Sequence, residues 1–88
     1  MIILQHRKFS KAFKRLHKHE RLIVEEAIKE IVANPSIGEL KKGDLASVRV
    51  HKFKHNDQLK LLAYTHSNEA LTLLAYGSHE NFYRDLKG

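Results

Sequence analysis

The chain has 88 residues, enough for one compact domain spanning 1–88. At 42% hydrophobic and 30% charged it suits a soluble globule rather than a disordered tail. The absence of cysteine excludes disulfides and thiolate metal sites, and 16 Lys+Arg against 10 Asp+Glu leave a formal charge of +6. That excess points to an anionic partner, nucleic acid first. No apolar run is long enough to cross a bilayer, and "MIILQHRKFS" places its charges after its apolar residues, the reverse of a secretory leader. A cytoplasmic protein with no membrane partner is the expectation.

In chain order, "IILQ" is short and apolar and reads as a first strand. Phe9, Ala12, Phe13 and Leu16 then recur at helical spacing, with lysines and Arg15 on the other face. "KHE" is expected to break the helix, placing His17 and His19 in the turn. A second helix carries Ile23, Val24, Ala27, Ile28 and Ile31 on one stripe, and Asn34-Pro35 ends it, because Asn tolerates a left-handed cap and Pro cannot continue a helix. "SIGELKKGD" reads as loop. "SVRVHKFK" alternates Val48 and Val50 with Arg49 and His51, the pattern of a strand with one wet face. "QLKLLAYTH" and "ALTLLAYG" are two further, more apolar strands, separated by the turns "HND" and "SNE". The expected fold is α+β: an N-terminal strand, a two-helix hairpin, then an antiparallel β-meander with a short C-terminal helix. Helices on one sheet face leave the other face to solvent, and Arg49, His51 and Lys60 are expected to stand there together.

Positive charge concentrates in two stretches. "HRKFSKAFKRLHKH", from His6 to His19, carries six Lys/Arg and no acid; "RVHKFKHNDQLK", from Arg49 to Lys60, carries four Lys/Arg, two histidines and one acid, Asp57. The end of the chain, "YGSHENFYRDL", adds His79, Tyr83 and Arg84 after an apolar strand that closes on Gly77. These residue types suit RNA cleavage without a metal. The 2′-hydroxyl must lose a proton and attack phosphorus, the phosphorane gains charge, and the departing 5′-oxygen must gain a proton. Histidine titrates near neutrality and serves as base or acid; Tyr donates a proton or stacks on a base; Arg and Lys hold the phosphorane. A preorganised donor of that kind lowers the barrier by roughly 3–4 kcal/mol. His79, Tyr83, His51 and Arg49 are the candidate catalytic groups, with Lys52, Lys54, His55, Lys60 and Arg84 on the RNA. Each has a plainer alternative: Tyr83 anchoring a terminal helix, His79 as a cap or loop residue, Arg49 and His51 as a solvated strand face, His55 as part of a turn. A metal is not expected, since there is no HExxH or comparable ligand spacing, and no cofactor motif is present.

The order of elements, with "VRVHKF", "QLKLLAY" and above all "LLAYGSHENFYRDL", resembles the RelE/ParE superfamily of bacterial type II toxins over the whole chain. The resemblance implies a RelE-like fold and a ribosome-dependent mRNA endonuclease. It also implies neutralisation by a cognate antitoxin, expected to be acidic at the contact. His79 falls where these nucleases carry an Arg or His, and Tyr83 near their C-terminal Tyr or Phe. Arg49 and His51 are most like the YafQ-type branch, while Lys52 and Lys54 echo the lysine-rich RelE type. The YafQ-type Asp-Trp pair is not matched: Asp57-Gln58 is nearest, and the chain has no Trp. A YoeB-type glutamate base has no clear counterpart, Glu39 falling in the expected loop. ParE-type relatives inhibit DNA gyrase instead and lack the nuclease residues, and a non-catalytic basic nucleic-acid-binding module is the third reading.

Overall fold

A computed structural model describes residues 2–41 and 47–78. Chain order is β1 (Ile2–Gln5), α1 (Arg7–Lys14), α2 (Lys18–Ala33), β2 (Glu39–Leu40), β3 (Arg49–His55), β4 (Gln58–His66) and β5 (Ala70–Ser78). Among the described residues five strands form one sheet, in the order β1-β5-β4-β3-β2. β3, β4 and β5 are the expected antiparallel meander, whereas β1 lies parallel to β5, making the sheet mixed. The α+β arrangement therefore stands; the short C-terminal helix expected from the sequence lies outside the described residues.

Local chemistry explains most boundaries. His6 caps α1, its Nδ1 accepting the Lys8 N–H at 3.1 Å, and Lys11 and Lys14 sit in the last turn, where cations complement the helix dipole. The break between helices falls at residues 15–17, earlier than expected, so His19 belongs to α2 and only His17 precedes it, as the N-cap. Glu20 in the first turn of α2 favours that end of the dipole. Asn34 ends α2 at φ −146°, so the stop comes from Pro35 and the 34–38 turn rather than from a left-handed cap. At the β3–β4 hairpin, Asn56 and Asp57 take φ of 52° and 62°, the mirror-image turn whose twist matches paired strands.

The helices cover one face of the sheet. Phe9 and the α2 stripe of Val24, Ala27 and Ile31 pack on Leu62, Tyr64, Leu71 and Leu73, with Phe13, Leu16, Ile28, Phe53 and Tyr76 at the margin. The opposite face is not simply wet. Val48, Val50, Leu61, Ala63 and Ala75 are buried there as a second cluster, with Leu59 and Leu74 against it. A bulge in β5 makes both faces fit: Ala63 pairs with Ala75 and Tyr64 with Leu73, so Leu74 is skipped. Leu71, Leu73 and Tyr76 thereby reach the same helix-covered face despite the odd-to-even step.

Candidate functional site

Register settles which strand residues meet. Arg49 pairs with Tyr64, His51 with Leu62, Phe53 with Lys60 and His55 with Gln58, and all of these face the helices. The expectation that Arg49, His51 and Lys60 share an uncovered face is thus corrected. Alternation predicts two sets of side chains; the helices lie over the set that contains Arg49, His51 and Lys60, and α2 brings carboxylates to His51 and Lys60.

Each of the three is held. His51 is buried, with Nε2 3.2 Å from Glu30 Oε2. Its ring stacks on Phe53 at 5.8 Å, and Phe53 stacks on Tyr76 at 6.1 Å. Arg49 donates from Nη1 to the Gly38 carbonyl at 2.9 Å and to the Ser36 carbonyl at 3.5 Å. Beside it the buried Tyr64 hydroxyl donates to the Pro35 carbonyl at 2.7 Å and accepts the Gly38 N–H at 2.9 Å. Burial pushes the Tyr64 phenol up, partly offset by the Gly38 N–H and the Arg49 charge. Lys60 Nζ lies 3.8 Å from Glu20 Oε2, and its side chain is only 14% exposed. The same Glu20 oxygen accepts the Tyr76 hydroxyl at 2.5 Å. Burial first, then the Glu20 hydrogen bond and charge, drive the Tyr76 phenol far above its ordinary range, so it stays protonated. His55 also turns to the helix side, its ring 5.5 Å from that of His19. Among the described residues, these side chains tie helix and loop to the sheet.

The other face of β3 carries the accessible cations. Lys52 pairs with Leu61 and Lys54 with Leu59, so both point away from the helices, about 7 Å apart along the strand. The Lys54 residue is exposed and the Lys52 side chain is 41% exposed. A third group joins them. The stretch expected to be loop includes the short β2, in which Glu39 pairs with Val50 and therefore shares the face of Lys52. Glu39 Oε2 is 3.7 Å from Lys52 Nζ, and Oε1 is 3.6 Å from Lys41 Nζ, with 62% of the Glu39 side chain exposed. A carboxylate open to solvent can accept a proton, and ammonium groups beside it can hold a phosphate. From the sequence Glu39 is set aside as a loop residue because a two-residue strand shows no period; the local signal is Glu-Leu-Lys itself, with Glu39 and Lys41 two apart and so on one side of an extended segment.

Row by row across the sheet, Lys52, Leu61 and Gly77 stand side by side. β5 therefore leads the chain towards "HENFYRDL" from a point two strands, about 10 Å, from Lys52 and Lys54. His79, Tyr83 and Arg84 themselves lie outside the described residues. Among the described residues no group of three or more His, Asp or Glu could hold a metal ion, and no helix is long and apolar enough to cross a membrane.

With this geometry established, comparison with known proteins places the chain. The family model for the ParE-like toxin of type II bacterial toxin-antitoxin systems matches residues 3–87. The chain belongs to that family, within the RelE/ParE superfamily of toxins. A mutant E. coli RelE toxin in the free state superimposes with a TM-score of 0.71 at 16% identity, covering 98% of this chain and 88% of that one. The toxin in the intact E. coli RelBE toxin-antitoxin complex gives 0.68 at 16% identity, covering 88% and 94%. A YoeB/ParE toxin from Agrobacterium tumefaciens gives 0.68 at 15% identity, covering 90% and 99%. Likeness at this identity shows the fold alone. A search of curated protein sequences gives no match. The protein is the toxin of a type II toxin-antitoxin system.

Proposed function

We propose that this toxin is a ribosome-dependent mRNA endonuclease, acting in the cytoplasm and restrained by a cognate antitoxin that is acidic where it covers the cationic surface. The observation that carries the reading is the cluster of Glu39, Lys52 and Lys54 on the sheet face away from the helices, beside the strand end that leads to His79 and Tyr83. Lys52 and Lys54 hold the scissile phosphate and stabilise the phosphorane. Glu39 takes the proton of the 2′-hydroxyl, a role its exposed carboxylate fits better than the Glu30-bound His51 does. His79 or Tyr83 returns a proton to the leaving 5′-oxygen, and Arg84 adds charge along the RNA. No metal enters this scheme. Arg49, His51 and Lys60 support it from beneath rather than touching RNA.

Cell-free translation tests this directly. Added toxin is expected to stop protein synthesis and leave mRNA cut within the ribosomal A site. Lys52→Ala protein, and at least one of His79→Ala and Tyr83→Phe, should be folded and should cut about 100-fold more slowly or worse. A folded His79→Ala and Lys52→Ala double variant that still cuts at the wild-type rate sinks the assignment. The ParE-like description of the matching family favours a second reading, inhibition of DNA gyrase. In that case translation continues, mRNA stays intact, and supercoiling by gyrase is blocked.

A further inference from the structure

The Glu39 carboxylate owes its place to residues on the other side of the sheet. Gly38, the residue before it, is gripped at both backbone groups: its N–H donates to Tyr64 Oη and its carbonyl accepts from Arg49 Nη1, each at 2.9 Å. The Tyr64 hydroxyl reaches back to the Pro35 carbonyl and Arg49 to the Ser36 carbonyl. Two neighbouring side chains, Arg49 and Tyr64, directly paired across β3 and β4, thus fix the 35–38 turn by four hydrogen bonds. The fit is close enough that a Cβ on Gly38 would lie 2.7 Å from Tyr64 Oη. β2 is only two residues long and, among the described strands, sits at the sheet edge, so its own ladder cannot hold it firmly. Directly after this clamp the chain places Glu39 beside Lys52, and then Lys41, whose N–H donates to the Val48 carbonyl at 2.9 Å.

We propose that Tyr64 and Arg49 are positioning residues: together they dock β2 on β3 and so deliver the Glu39 carboxylate to Lys52. This inference rests on the endonuclease reading for its meaning, but not for its geometry. It also gives the polar residue Arg49 a purpose in the reaction that needs no contact with RNA. A geometric error of about 1 Å at a reacting group is enough to slow catalysis about 100-fold, so a clamp of this kind acts on turnover rather than on binding.

The test uses the whole chain carrying Tyr64→Phe, which removes only the hydroxyl, and separately Arg49→Gln. Leu71→Val, a core change on the β1 side of the sheet, serves as control for lowered stability. Amide hydrogen exchange by NMR reads the Lys41 N–H, three residues past the clamp, and ribosome-programmed mRNA cleavage reads kcat and KM. Both clamp variants are expected to lower Lys41 protection at least tenfold and kcat about tenfold or more, with KM within twofold. Leu71→Val should change neither ratio relative to the rest of the sheet. Unchanged Lys41 protection in both variants overturns the proposal, and so does unchanged kcat in a variant whose protection has fallen. Wild-type protein that leaves mRNA intact sinks the endonuclease reading alone; docking of β2 by the clamp is still judged by Lys41.

Discussion

Replacing Tyr76 by Phe isolates one hydrogen bond. The ring stays and keeps its stack on Phe53, so packing is preserved; what goes is the hydroxyl that donates to Glu20 at 2.5 Å. A bond to a charged acceptor in a half-buried setting contributes roughly 1.5–3 kcal/mol, and Glu20 keeps Lys60 at 3.8 Å, so a loss of about 2 kcal/mol is expected near neutral pH. For a domain of this size that lowers Tm by roughly 8–16 °C. The effect should also depend on pH, with a definite sign. In the folded protein the phenol is held protonated far above its ordinary range. In the unfolded chain it ionises near ~10, so its contribution is complete below that pH and is lost as pH rises further. Tyr76→Phe cannot lose what it lacks. The gap between the two proteins should therefore narrow above pH ~10, by at most about 1.4 kcal/mol per pH unit, less where solvent screens the pair. Urea melts at pH 7, 9, 10 and 11 measure it, with the m-value unchanged. A gap that is below about 0.5 kcal/mol at pH 7, or that is constant from pH 7 to 11, refutes the reasoning.

Three more outcomes are expected from the same contacts. Lys52→Ala and Lys54→Ala should each relieve growth arrest and lower mRNA cleavage about 100-fold or more, with thermal melts within about 2 °C of wild type, since both side chains reach solvent. His51→Gln should destabilise the domain by roughly 1–2 kcal/mol, through loss of the Glu30 partner and the ring stack, while cleavage by the folded fraction stays near wild type; a hundredfold loss there would restore His51 to the chemistry. Gly38→Ala should cost roughly 1–3 kcal/mol in urea melts because its methyl meets the Tyr64 hydroxyl, and the added Tyr64→Phe change should recover part of that; a neutral Gly38→Ala would mean that the turn gives way freely.

The sequence by itself determined the elements with long, regular patterns. The α2 stripe, the three meander strands and the "HND" turn are local: helical spacing, alternation and turn chemistry need no distant partner to be read. Charge was equally plain, because it is a sum. Which face of the sheet leaves its cations open to solvent was decided only by tertiary structure. Along β3 and the residue before it, one alternate set holds Val48 and Val50 and the other holds Arg49, His51 and Phe53, and both sets end up buried in part. Alternation separates two faces without saying which one a helix will cover. Glu30 and Glu20 on α2 settled that by meeting His51 and Lys60, leaving Lys52 and Lys54 to solvent. β2, the parallel placement of β1 and the skipped Leu74 were likewise beyond local reading: two residues have no period, and an edge pairing or a bulge exists only in relation to a neighbouring strand.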